Sequence, residues 1–292
     1  MRTHLFIALL LIGLTLGCET ETGPLLDGNH VGPETVCPSA NNRPRGISFA
    51  GRSWEIRQST SPSQAGANCF ANDQRNVWVD SQDRLHLKIT NRGGVWTCAE
   101  VFSTDGYGYG TYTFRVVSAA GALNRNVVFG LFTWDDDAPA MGKIHEIDIE
   151  ITPWSRAWGE NLHYAVQPVM GPDTSNGQYD ERSSSTFLPP DATASVHHFT
   201  WMPSFVDFAS YIGLSATGVP LHAWRFADSN PARRSNETTL PTPVGIPTPS
   251  QHTSVRLNLW LFDDDGNGYG DAPSDEAEPE VVIDQFTFTP AS

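Results

Sequence analysis

The sequence predicts an all-β fold, a β-sandwich or jelly roll, on three observations. Short runs of alternating apolar residues recur between clusters of Gly, Asn, Asp and Pro. No stretch keeps a 3.6-residue repeat for more than a couple of turns, so helices between the strands are not expected. The 292 residues are 39% apolar, enough for one sizeable core, and all-β chains of this length often form one domain. No internal repeat is visible.

Met1–Gly17 reads as a targeting segment. Arg2 and His4 give a weakly basic start, and Leu5–Gly17 is an apolar run broken only by Thr15. It is too short to span a bilayer. Leu14-Thr15-Leu16-Gly17-Cys18 resembles a bacterial lipobox, which makes 1–17 a lipoprotein signal peptide and Cys18 the lipidated residue. Thr15 stands where such boxes usually have Leu, and an ordinary secretory signal is the alternative. Glu19, rather than Asp, favours an outer-membrane lipoprotein of the bacterial cell envelope. Residues 18–45 are polar, rich in Gly, Pro, Asn and Thr, and read as a flexible tether that leaves Cys37 as an unpaired thiol. Residues 46–292 form the folded domain. The expected strands are Val77-Trp78-Val79, Leu85–Thr90, Gly110–Val117, Val127–Trp134, Ile144–Thr152, His163–Val169, His198–Met202, Val255–Phe262 and Val281–Thr289. Ser229–His252, rich in Pro and Thr, reads as a long surface loop.

The formal net charge of -15 disfavours nucleic acid, anionic lipid and polyanionic substrates. Any membrane contact is expected only through the N-terminal lipid. A polysaccharide substrate would be a neutral one.

The chemistry concentrates in Ile144–Thr152, I-H-E-I-D-I-E-I-T. Glu146, Asp148 and Glu150 fall on every second residue, so a strand puts all three on one face and the isoleucines on the other. Three acids on one face repel one another. Two long Glu side chains leaning together across a shorter Asp can approach the spacing of about 5–5.5 Å that retaining glycosidases use. Crowding drives such pKa values apart, so one carboxyl can stay protonated while its neighbour is ionised. The pentad alone equally fits a cation site or a solvated acidic strand.

The surrounding residues narrow this. Asn68-Cys69, Cys98-Ala99-Glu100, Tyr107-Gly108-Tyr109-Gly110-Thr111-Tyr112, Phe132-Thr133-Trp134, the acid pentad, His198-Phe199-Thr200-Trp201-Met202-Pro203, Asn258-Leu259-Trp260 and Ile283-Asp284-Gln285-Phe286 form an ordered series. From about Arg45 onward that series resembles glycoside hydrolase family 16, and within it the bacterial lichenases (endo-1,3-1,4-β-glucanases). The resemblance implies a jelly roll of two antiparallel sheets with substrate across the concave one. It implies Glu146 as nucleophile, Asp148 as its helper and Glu150 as acid/base. It also implies Glu100 and Asn258 as sugar contacts, Trp134 and Trp260 as stacking platforms, and a Cys69–Cys98 disulfide. Trp54, Trp78 and Trp201 are left to the core. Asp284 matches a position where many members hold a structural calcium, the only metal the resemblance suggests; no cofactor is required for catalysis. The Asp263–Gly268 run opens like a Ca²⁺ loop but has Ser274 at its twelfth position, and reads as a solvated acidic turn.

The implied activity is retaining, endo-acting cleavage of a β-1,3/1,4-glucan or related neutral β-glucan by a monomer. The alternatives are a transglycosylase on the same site and a non-catalytic carbohydrate-binding lipoprotein. Three departures leave the substrate open: Phe102 stands where lichenases have Arg, Ile144-His145 where they have Trp-Asp, and His163–Gln167 lacks a clear Asn and Tyr.

Overall fold

Alternation of β-branched and aromatic residues with small or polar ones generates seventeen strands among the described residues, with one 3₁₀ turn at Ala120–Ala122. The computed structural model describes residues 36–38, 46–139, 145–167, 182–227, 229 and 245–292. The expected leader, Cys18 and most of the tether lie outside these residues, as does Ile144.

The strands form two sheets. The first runs β1 (Gly46–Phe49), β2 (Arg52–Ile56), β7 (Val95–Ser103), β16 (Thr253–Leu261), β9 (Val127–Asp135), β10 (Glu146–Ile151), β11 (Leu162–Val166), β12 (Ser183–Thr186). Two short strands, β3 (Cys69–Phe70) and β6 (Thr90–Arg92), also pair with β7. The second runs β15 (His222–Ala227), β14 (Phe205–Ile212), β13 (Ser195–Met202), β8 (Gly110–Val116), β17 (Glu280–Pro290), β5 (Leu85–Lys88), β4 (Val77–Val79). All pairings are antiparallel except β3 with β7. This is the expected two-sheet all-β architecture, and each expected run overlaps a strand.

Alternation decides which face of the first sheet meets the second. Val101, Leu257, Leu131, Ile149 and Tyr164 form one cross-strand row, and Ala99, Leu259, Phe129, Ile151 and Leu162 form the next. All are buried in the common core. Full burial of each large apolar side chain contributes roughly 1.5–3 kcal/mol. The second sheet answers with aromatic rings: Phe114 stacks on Phe286 at 5.2 Å and Tyr112 on Phe199 at 4.6 Å. Tyr164 of β11 stacks on Phe208 of β14 at 4.9 Å, joining the layers. Its hydroxyl donates to Ser210 Oγ at 2.6 Å, and Ser210 is hydrogen-bonded to His197, whose other ring nitrogen meets Ser195. Burial pushes the His197 pKa down to about 3, so this inter-sheet polar chain stays uncharged.

Trp54 and Trp201 lie in the core as expected. Trp78 does not. Val77 and Val79 take the inward positions opposite Leu87 and Leu85, so Trp78 faces outward on edge strand β4 and stacks on His86 at 4.5 Å.

The disulfide also differs from expectation: it joins Cys37 to Cys69, and Cys98 is a buried free thiol. The reason is register. Cys69 pairs with Thr97 and Phe70 with Cys98 across the β3–β7 ladder. Neighbours one residue out of step point to opposite faces, so the Cys69 and Cys98 side chains diverge. Asn68, not Cys69, meets Cys98, with 3.3 Å between Sγ and Oδ1. Cys37 is drawn in instead; its N–H donates to Thr60 O at 3.1 Å. The tether is therefore stapled to the domain at Cys37. Peptide mapping is expected to recover the Cys37–Cys69 link, with Cys98 alkylated only after denaturation. On the loop-entropy model, Cys37→Ser should lower unfolding stability by about 3–4 kcal/mol; denaturant titration would measure it.

Candidate active site

The outer face of the first sheet is built by the same register that buries the isoleucines. Glu146 pairs with Trp134, Asp148 with Phe132 and Glu150 with Gly130 on β9. One strand further, Trp134, Phe132 and Gly130 pair with Ser254, Arg256 and Asn258 of β16. Arg256 and Asn258 then pair with Phe102 and Glu100 of β7. On the other side Asp148 meets Ala165 and Glu150 meets His163. The Gln167 N–H donates to Glu146 O at 3.0 Å, closing that row. Glu100, Trp134, Glu146, Asp148, Glu150, Asn258 and Trp260 thus share one face, as the sequence reading requires.

The three acids are crowded and largely withdrawn from water: Asp148 is 3% exposed, and the Glu residues keep part of their surface. Burial raises the Glu146 carboxyl well above the ordinary range. The charges of Asp148 and Glu150 and a hydrogen bond with Asp148 add to the rise, while the Arg256 charge opposes it. Burial first, then the Asp148 charge, also raises Glu150. Burial lifts Asp148 to about 7, restrained by hydrogen bonds from Gln167 and Glu146. Burial and mutual repulsion thus disfavour three negative charges on the set, and its titration belongs to the set rather than to any one carboxyl.

Glu100 is buried, but as an ion-paired group. Arg57 Nη1 lies 2.7 Å from its Oε2 and Arg256 Nη1 3.3 Å from its Oε1. Arg256 also reaches Asp136 at 2.8 Å and lies over the Phe102 and Trp134 rings. Trp134 is half-buried on the open face. Trp260 is only 3% exposed and packs edge-on to Trp154 at 6.2 Å, so it forms buried wall rather than an open platform. The chain at Gly66 crosses it so closely that a Cβ there would meet the Trp260 ring at 2.8 Å. Asn258 lies across Gly130, where a Cβ would meet its Oδ1 at 2.4 Å; a side chain at 130 would displace Asn258. That buried Oδ1 has no hydrogen-bond partner among the described residues, leaving an acceptor on the acid face.

Sequence reasoning missed Arg57, Arg256 and Gln167. The last two were signalled by parity: Arg256 is two residues before Asn258 on the same strand face, and Gln167 continues the His163–Ala165 series. The guanidinium absent at Phe102 is present directly across the ladder, on Arg256.

The residues at Asp284 do not fit a cation site. Asp284 sits at a register shift in β17 and is ion-paired to Arg115 of β8. The turn carboxylates of Asp263, Asp265 and Asp271 do converge within 4.8 Å. They accept backbone N–H groups of the turn itself, from Asp264, Asp265, Gly266, Asn267 and Gly268.

No protein-family model matches this chain, and no curated protein matches it. Solved structures do. The Bacillus licheniformis β-glucanase superposes with a TM-score of 0.52 at 17% identity, over 87% of this chain and 96% of that one. The fold is the jelly roll of the β-glucanases. A Flavobacterium laminarinase gives a TM-score of 0.55 at 11% identity, covering 80% of this chain and 92% of its own. A Mycobacterium tuberculosis protein described as an immunostimulatory antigen and pseudo β-1,3-glucanase gives 0.54 at 16% identity, covering 90% and 98%.

The raised Asp148 pKa has a stability consequence. Its unfolded-state value lies near 3.9. The folded protein therefore holds a proton that the unfolded chain releases, and its stability falls as pH rises from about 4 through about 7. Asp148→Asn should raise the melting temperature at pH 7–8 and leave it nearly unchanged at pH 4. The gain is a few kcal/mol at most, at about 1.4 kcal/mol per pKa unit. Calorimetry at the two pH values checks both sign and window.

Proposed function

We propose that this protein is a retaining, endo-acting glycoside hydrolase that cleaves a neutral β-glucan by double displacement. The observation that carries this reading is the row of three carboxyls with raised proton affinities on the exposed side of the first sheet. In the first half-reaction Glu150 donates its proton to the leaving glycosidic oxygen while ionised Glu146 attacks the anomeric carbon. In the second, Glu150 as carboxylate takes a proton from water, which displaces Glu146 and restores the starting configuration. Asp148 exchanges a proton with Glu146 so that each step meets the required charge.

Trp134, Phe102 and Phe132 supply apolar surface for the C–H faces of pyranose rings. Asn258 offers its unpaired amide oxygen to a sugar hydroxyl. Arg57 and Arg256, the guanidiniums on this face among the described residues, are already ion-paired with Glu100 and Asp136. That neutrality supports an uncharged polymer. The likeness to a β-glucanase and a laminarinase supports the glucan class, and calcium has no part in the reading.

The same proposal places the protein outside the cytoplasm, anchored by lipid at Cys18. The Cys37–Cys69 disulfide supports an oxidising compartment. Incorporation of labelled palmitate that is abolished in Cys18→Ala would test the anchor.

The likeness to a pseudo-glucanase keeps a binding-only protein as the competing reading. Assay of the protein lacking residues 1–18 on barley β-glucan, laminarin, xyloglucan and xylan separates the two. Reducing-sugar release is expected from at least one β-glucan, with the β-anomer appearing first by NMR. Glu146→Gln and Glu150→Gln should each lose at least about a hundredfold in kcat. Binding without release by the unmodified protein would favour the competing reading. Acceptor incorporation would identify a transglycosylase.

A further inference from the structure

The pentad E-x-D-x-E is symmetric about Asp148: each Glu is two residues away on the same face. Nothing in the spacing says which one Asp148 should serve. The surroundings break the symmetry. On the Glu146 side, Gln167 Nε2 donates to Asp148 Oδ2 at 3.0 Å, and Glu146 and Asp148 are themselves hydrogen-bonded. On the Glu150 side, the neighbour is His163, and both its ring nitrogens are engaged elsewhere. Its Nε2–H donates to Thr152 O at 2.8 Å and its Nδ1 accepts from Ser185 Oγ at 2.7 Å. Ala165, in register with Asp148, has no polar group to offer.

Gln167 is also built in. Its N–H is held by Glu146 O and its carbonyl accepts from Arg182 Nη2 at 3.0 Å. Arg182, 5% exposed, donates to Val166 O at 2.8 Å and lies over the Phe226 ring at 4.7 Å. The backbone that carries the amide is therefore clamped on both sides.

We propose that Gln167 is the positioning residue that pairs Asp148 with Glu146 rather than Glu150. An N–H aimed at Oδ2 stabilises the charged oxygen there and disfavours a proton on it, since a protonated oxygen is a poorer acceptor. The exchangeable proton of Asp148 is therefore favoured on the other oxygen, Oδ1, and the hydrogen bond between Asp148 and Glu146 gives it a route to and from the Glu146 carboxyl. The exchange is balanced: protonated Glu146 and ionised Asp148 become ionised Glu146 and protonated Asp148, with no change in net charge and no other reactant. The catalytic consequence rests on the proposed function; the proton placement does not.

The groups that share this environment are Glu146 and Glu150 on β10, Arg256 on β16, Glu100 on β7 and His163 on β11. All remain in Gln167→Met, which removes the donor at similar length. The test is a carboxyl-carbon NMR titration of Asp148 in the full protein and in Gln167→Met, with steady-state kinetics on the best β-glucan. Loss of the donor should raise the Asp148 midpoint by about one pH unit, because a hydrogen bond to the charged form is gone. It should lower kcat about tenfold or more with KM within about twofold. Gln167→Glu, similar in shape but with an acceptor there, should raise the midpoint as well, and replaces the Met variant if that one fails to fold. An unchanged midpoint in a folded variant overturns the proposal even if the protein is an active glucanase. A shifted midpoint in a protein that hydrolyses no glucan upholds the proton placement and overturns the enzymatic reading instead.

Discussion

The register of β10 between β9 and β11 is the constraint on which the rest depends. It assigns Ile147, Ile149 and Ile151 to the core and Glu146, Asp148 and Glu150 to the opposite face in one operation. A slip of one residue would exchange the two sets. The isoleucines hold the register, because burying the acids between the sheets would cost far more than any strand pairing returns. The acids occupy a costly arrangement that the hydrophobic rows beneath them sustain.

The rest of the face moderates that cost without removing it. Arg57 and Arg256 are matched by Glu100 and Asp136, so neither is fully available to neutralise the acids. Arg256 only opposes the rise at Glu146. A stronger cation beside the three carboxyls would pull their protons off and leave no group to act as an acid. Partial compensation leaves the proton affinities of the set raised. Gly130 leaves room for Asn258 over the strand next to Glu150.

Much of this was legible in the sequence because it depends on parity. The sandwich and the shared face of Glu146, Asp148 and Glu150 follow from alternation, while the places of Glu100, Trp134 and Asn258 beside them were legible only through the family resemblance and are set by the register of four strands. What escaped depends on relations between strands. Cys69 and Cys98 stand on opposite faces because of a one-residue offset in a parallel pairing that no single-strand pattern reveals. Trp260 obeys parity, yet the chain near Gly66 covers it. Trp78 lies on an edge strand, a position fixed only by sheet order. Strands such as Ser183–Thr186 carry no apolar alternation and form because β11 offers them an edge.

The proposed function treats the acid row as a pair of catalytic carboxyls with distinct roles. The most direct measurement is to trap the covalent intermediate. An activated 2-deoxy-2-fluoro β-glucosyl oligosaccharide should inactivate the protein and add one glycosyl mass to the peptide carrying residues 146–151, with fragmentation placing it on Glu146. Attachment to Glu150 would reverse the roles assigned here. No covalent adduct on any of the three acids, in a protein that still cleaves glucan, would contradict the double-displacement account.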